Sequence, residues 1–165
     1  MKTIYFVRHA KSSWDDITLD DHDRPLNARG KRDAPKMANR LADLGVTADG
    51  LVSSTAKRAK ETSEAFRRAL NIPAANCQYD QSLYHAWPEG IEKRVQEVSD
   101  NCSTVLFFGH NPGYTDLANR PMHHAFIGNV PTCGIVMVEA DINHWADFTL
   151  GKARRAAYFY PKQQV

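Results

Sequence analysis

Two short apolar runs in this chain each end on a histidine, and no other feature restricts the fold as much. In IYFVRHAKSS, Ile4 to Val7 lead straight into Arg8 and His9; in STVLFFGH, the run from Val105 leads into Gly109 and His110. Uninterrupted apolar runs of four to six residues read as buried core strands. The predicted strands are 3–8 and 103–108. A buried strand that hands over without a break to a guanidinium and an imidazole is either an edge reaching solvent or a means of delivering reactive groups to a pocket.

The segments between these strands read as helices and further strands. Residues 11–26 are polar and aperiodic, a loop in which Pro25 holds Arg24 away from helical geometry. From Asn27 the apolar residues Ala34, Met37, Ala38, Leu41 and Leu44 recur at three- and four-residue steps, a helix stopped by Gly45. A strand is expected over 49–54, then a helix over 56–70 with Thr55 as its N-cap. Residues 76–84 read as extended and 89–100 as helical, and a short helix starts near Pro112. The run 133–139 reads as a strand, with 144–150 pairing to it in a hairpin around Asp141 and Asn143. The terminal KARRAAYFYPKQQV suits an edge-strand extension or a docking surface; its few charges make a poor nucleic-acid motif.

Strands alternating with helices over 165 residues predict a single domain, 1–165, of α/β class. The expected form is a three-layer sandwich: a mostly parallel central sheet with helices on both faces. Ligands of such sheets sit beyond the carboxyl ends of the strands. If the two histidine-ended strands are parallel neighbours, His9 and His110 converge at one sheet edge. Arg8 lies beside them, and Arg58, in SSTAKRAKET just after the second strand, comes off the same edge.

Two guanidiniums and two imidazoles in one pocket fit a phosphoryl group. Arginine binds phosphate oxygens bidentately and stays charged at any working pH. Preorganised cations stabilise the charge spread over a transferring phosphoryl group. A neutral imidazole is a competent nucleophile toward phosphorus. For His9 to attack through one ring nitrogen, the other must be held by a hydrogen bond, as to a nearby backbone carbonyl. His110 would then donate to the transferring group.

Other chemistries lack their signatures. No GxxxxGK[ST], GxGxxG or HExxH occurs, and His123 and His124 are adjacent, a poor chelating pair on a helix; no metal or cofactor is expected. Cys77, Cys102 and Cys133 form no CxxC, and no Arg stands six residues after any of them as in a cysteine phosphatase. An odd, unpaired set of cysteines points to a reduced, cytoplasmic setting. No stretch is long enough to span a membrane, and a net charge of +2 gives no reason to expect nucleic acid or an anionic membrane as partner. Trp14, Trp87 and Trp145 are expected in the core or at a pocket rim.

Taken together, VRHAKSS, SSTAKRAKET and GHNPG resemble the histidine phosphatase, or phosphoglycerate-mutase-like, superfamily, in family order and spacing from about residue 3 to 138. The small size, RHA in place of the commoner RHG, and DHDRPLNARG resemble its SixA-type phosphohistidine phosphatases. The resemblance implies that His9 is the phosphorylated nucleophile, with Arg8, Arg58 and His110 completing the phosphate pocket. It places Arg24 where a further phosphate-facing arginine stands; read from its neighbours alone, Arg24 pairs equally well with Asp20, Asp21 or Asp23. The backbone N–H of Asn111 is a further candidate donor.

One position departs from the wider superfamily. Many members carry a glutamate general acid where SLYHAWPEG has His85. Without a carboxylate there, an alkoxide leaving group is hard to protonate. Imidazole is a far better leaving group, so the departure favours phosphohistidine on a signalling or phosphotransfer protein over a sugar phosphate. His85 itself, Asp80 and Glu89 are the candidate acids. The alternatives are a phosphatase of small esters or nucleotides on the same scaffold, and a phosphoprotein-binding module with little turnover. Only about twenty-five residues separate the third-strand region from the fourth strand, leaving little chain for a lid.

Overall fold

The computed structural model describes residues 1–164. Ten elements form its frame: β1 (Lys2–Arg8), α1 (Ala28–Asp43), β2 (Gly50–Ser54), α2 (Lys57–Ala69), β3 (Cys77–Asp80), α3 (Pro88–Val95), β4 (Thr104–Gly109), α4 (Gly113–Ala118), β5 (Ile135–Ala140) and β6 (Arg154–Phe159). The strands form one sheet in the order β3-β2-β4-β1-β5-β6. β3, β2, β4 and β1 are parallel; β5 runs against both β1 and β6, so it alone points the other way. This is the expected α/β sandwich around a mostly parallel sheet.

Side-chain alternation along the central strands builds a core on each face. Ile4 and Phe6 of β1 pack with Val105, Phe107, Tyr114, Ile91 and Val95 beneath α3 and α4. Tyr5 and Val7 pack with Leu106, Phe108, Met37, Leu41 and Phe66 beneath α1 and α2. β1 and β4 are therefore buried on both sides, which is why their sequences are continuous apolar runs.

The register fixes the site. Ile4 pairs with Val105, Phe6 with Phe107 and Arg8 with Gly109, so the residues just past both strands emerge at the same height. The end of β1 is pinned from both neighbours: the His9 N–H donates to Gly109 O at 3.0 Å, and the Arg8 N–H to Gly134 O at 3.0 Å.

Several local expectations need correction. Residues 144–150 are not a strand. They form 3-10 turns at Trp145–Asp147 and Leu150–Lys152. Trp145 and Phe148, one 3-10 turn apart, both enter the core, and the Trp145 Nε1–H donates to Cys102 O at 2.7 Å. The partner of β5 is β6, drawn from the basic-aromatic tail, so the edge-strand reading of that tail is the one realised. Thr55 does not cap α2: Ala56 occupies the N-cap, while the Thr55 hydroxyl donates to Gln81 Oε1 and accepts from His22 Nε2. Helix α3 stops at Val95 rather than at 100, continuing as turns. The polar loop 11–26 is ordered: Ser12 bridges to Leu26, and a 3-10 turn occupies Asp21–Asp23. Among the described residues, no helix is long and apolar enough to cross a membrane.

Candidate active site

The carboxyl ends of β1, β2 and β4 gather the expected residues. The imidazoles of His9 and His110 face each other with ring centroids 5.1 Å apart, and both side chains are buried with Arg58 and Arg24. The His9 Nδ1 lies 2.7 Å from the carbonyl of Ala10. A carbonyl only accepts, so Nδ1 carries the proton and Nε2 presents its lone pair. This is the backbone restraint that a nucleophilic imidazole at position 9 requires.

Electrostatics keep that imidazole neutral. Burial, followed by the positive fields of Arg58, Arg8 and Arg24, pushes the His9 pKa down to about 3, against the opposing pull of the Ala10 carbonyl. Burial likewise dominates at His110, with His9, Arg58 and His85 adding to it, and lowers it to about 2. His110 Nε2 lies 2.8 Å from Ser54 Oγ, the last residue of β2. Ser54 Oγ already accepts from the Ala56 N–H, so its hydroxyl proton is free to point at Nε2. The His110 Nδ1 is buried without a protein partner.

The three arginines are held differently. Arg8 donates from Nη1 to Val130 O at 2.9 Å, and its Nε is buried without a partner. Arg58 donates from Nη1 to the Asp21 carbonyl at 2.6 Å and from Nη2 to Asp21 Oδ2 at 2.9 Å. Arg24 donates from Nη1 to Asp21 Oδ1 at 2.9 Å, from Nε to Ser13 O at 3.1 Å, and from Nη2 to Ser12 Oγ. Its guanidinium also stacks 3.4 Å from the ring centre of Trp14. Of the two readings of Arg24, the structure shows the carboxylate pairing: it pairs with Asp21, and Asp21 joins it to Arg58.

Asp21 and Tyr84 are the residues that sequence reasoning did not place in the site. Tyr84 donates its hydroxyl to Asp21 Oδ2 at 2.5 Å. Burial acts to raise the Asp21 pKa, but the hydrogen bonds from Tyr84 and Arg58 and the charges of Arg58 and Arg24 outweigh it and hold it near about 2. The available signals were the adjacency of Tyr84 to His85 and the place of Asp21 three residues before Arg24, among the partners its neighbours offer. A second hidden brace is Thr62, whose hydroxyl accepts from the Ala10 N–H at 2.9 Å and donates to Arg58 O at 2.7 Å. It ties the turn after β1 to the helix carrying Arg58.

The candidate acids separate clearly. Asp80 accepts from Arg94 Nε at 2.6 Å and caps Ser82, and exposed Glu89 pairs with Arg120 at 2.8 Å. Both carboxylates are held by arginines, although Asp80 stands in register beside Ser54, the hydrogen-bond partner of His110. His85 instead lies 6.3 Å from His110, ring to ring, and 3.9 Å from Tyr84. Its backbone sits at φ +59°, a left-handed geometry that non-glycine residues adopt rarely. The side chain of Asn111 is used structurally: its amide donates to Asn129 Oδ1 and Val130 O, and its Oδ1 accepts from Thr115. That clamp positions Val130, the acceptor for Arg8. Among the described residues, no group of three or more His, Cys, Asp or Glu could hold a metal ion.

The chain is similar to known proteins over most of its length. The model of the histidine phosphatase superfamily (branch 1) matches residues 4–84. An uncharacterized protein of Mycobacterium tuberculosis (strain ATCC 25618 / H37Rv) is 32% identical over 165 aligned residues, covering 94% of this chain and all of that one. An uncharacterized chloroplastic protein of Arabidopsis thaliana is 32% identical, covering 88% of this chain and 70% of that protein. Among solved structures, a proposed phosphohistidine phosphatase SixA of Agrobacterium tumefaciens superposes with a TM-score of 0.81 at 26% identity, covering 97% and 98% of the two chains. The protein histidine phosphatase SixA complexed with tungstate gives a TM-score of 0.81 at 21% identity over 96% and 97%, a likeness of fold.

Proposed function

The chain belongs to the histidine phosphatase superfamily, in its SixA-type branch, and from that premise we propose that it is a metal-independent phosphatase acting on phosphohistidine carried by a protein. The observation that carries this reading is the His9 geometry: Nδ1 bound to the Ala10 carbonyl, Nε2 free, and a pKa of about 3 that leaves the ring neutral.

In the proposed first step, the Nε2 lone pair of His9 attacks phosphorus. The P–N bond to the substrate imidazole breaks, its electron pair stays on that nitrogen, and a proton there releases neutral imidazole. In the second step water attacks the phosphorus of phospho-His9, the P–Nε2 bond breaks with its electron pair returning to Nε2, and one proton of the water replaces the one given to the leaving imidazole. Inorganic phosphate leaves and neutral His9 is restored. Arg8 and Arg58 stabilise the equatorial oxygens in both steps, with Arg24 acting through the shared Asp21. The orphaned Nδ1 of His110 supplies a further donor.

The leaving-group chemistry supports phosphohistidine over esters. Asp80 and Glu89 are tied to Arg94 and Arg120, and Asp21 stays ionised far below neutral pH, so none of these three stands ready to protonate an alkoxide. His85 is the titratable side chain placed beside His110, and we assign it to the leaving nitrogen.

The test is acid-quench and base-quench trapping of labelled phosphate, with a phosphohistidine protein and a panel of phosphomonoesters as donors. A base-stable, acid-labile label on wild type and none on His9→Ala is expected. Label persisting on His9→Ala would remove the nucleophile assignment, and equal rates on esters and phosphohistidine would remove the substrate assignment.

A further inference from the structure

The loop between β1 and α1 has two unlike sides. Its inner side delivers Arg24 and Asp21 to the site. Its outer side carries Trp14, Ile17 and Leu19, which are 68%, 93% and 38% exposed. Three large apolar side chains within six residues of one loop form a patch of the kind that marks an interaction surface. The loop is braced at its stem by backbone bonds from Asn27 N to Lys11 O and from Ser13 N to Pro25 O, so the segment 14–19 rises from an anchored base. Trp14 lies directly over the Arg24 guanidinium, which places one end of this apolar segment beside the arginines of the site.

We infer that this loop is the lip on which the substrate protein docks, and that the docking face of that protein is apolar with flanking basic residues. The inference rests on the phosphohistidine-protein reading above. Two arguments select this occupant. His9 is buried at the foot of the loop, so a protein offering a phosphorylated side chain to Nε2 must lay its surface against the loop. In addition, Asp15, Asp16, Asp20 and Asp23 all stand exposed around the apolar residues, while Asp21 is used internally. Four outward carboxylates disfavour free phosphate dianions at the entrance and favour a surface bearing lysine or arginine.

The experiment compares four small donors on the intact chain: a phosphohistidine peptide flanked by Leu and Lys, one flanked by Ser and Asp, N-phosphoimidazole, and p-nitrophenyl phosphate. Wild type is expected to show kcat/KM about tenfold higher for the Leu/Lys peptide than for the Ser/Asp peptide. The double variant Ile17→Ser/Leu19→Ser, which alters only exposed side chains of the loop, is expected to bring that ratio to within about twofold. Its N-phosphoimidazole rate and melting temperature should be unchanged. A wild type that hydrolyses all phosphohistidine donors without a flank preference, or a ratio the double variant leaves intact, overturns the docking lip and spares the phosphohistidine assignment. Hydrolysis of p-nitrophenyl phosphate with no turnover of any phosphohistidine donor overturns both. A wild-type dimer that the double variant makes monomeric would assign the patch to a second copy and overturn the inference.

Discussion

Asp21 joins two cations of the site through one carboxylate: its Oδ2 lies 2.9 Å from Arg58 Nη2, and its Oδ1 lies 2.9 Å from Arg24 Nη1. Tyr84 donates to the same Oδ2 that Arg58 holds. A carboxylate so placed either braces the arginines for phosphate or competes with phosphate for them, and the two roles have opposite signatures. The brace is favoured by the Asp21 backbone, whose carbonyl also binds Arg58 and keeps the side chain from leaving as a unit. Asp21→Ala should therefore weaken binding of inorganic phosphate or tungstate by at least about tenfold, the range for a lost charged hydrogen bond. Titration calorimetry reads this directly; tighter binding in Asp21→Ala would identify a competitor.

Thr62 links the Ala10 N–H to the Arg58 carbonyl. Thr62→Val keeps the shape but leaves a buried N–H without an acceptor, a loss of about 1–3 kcal/mol. Denaturant titration should show that destabilisation, and turnover should fall with it because the His9 turn and the Arg58 helix lose their tie.

The depressed histidines make stability pH-dependent on the acid side. Below about pH 6.5 the unfolded chain takes protons at His9 and His110 that the folded chain refuses until about pH 3 or lower. The unfolded state then binds more protons, so stability falls as pH drops through that window, each group adding a slope of up to about 1.4 kcal/mol per pH unit. Melting temperatures between pH 8 and pH 4 should decline below about 6.5, and His110→Gln should flatten the decline. The imidazole NMR signals of His9 and His110 should stay flat from pH 8 to pH 5.

Gly113 opens α4 where a Cβ would meet the Ala86 carbonyl at 2.2 Å. Gly113→Ala must push the His85–Ala86 backbone away, with an overpacking loss of about 1–3 kcal/mol. If His85 serves the leaving group, this variant should lower kcat on N-phosphoimidazole more than it alters tungstate binding, a split measurable by steady-state kinetics and calorimetry.

Much of the site was legible because it is tied to strand ends. Arg8, His9 and His110 follow apolar runs directly, and a parallel pair in register brings them to one height. Arg58 sits in the first turn of the helix after β2, so its place follows from the same edge. Asp21 and Tyr84 come from loops, and a loop's path is set by contacts remote in sequence. Residues 144–150 misled for a related reason: the aromatic-rich run suits a strand, but Trp145 and Phe148, three apart, share a side only in a 3-10 turn, which the Asp100 carboxylate and Cys102 carbonyl hold.

By itself the sequence determined the layered α/β plan, the edge where chemistry gathers and the pairing of two imidazoles with arginines, because apolar periodicity and strand ends are local properties. Only the tertiary structure decided that one carboxylate serves both Arg24 and Arg58, that Asp80 and Glu89 are held by arginines, and that His9 is neutral with Nε2 free. Those outcomes depend on which donor meets which acceptor and on how deeply the ring is buried, and both are settled only once distant segments pack together.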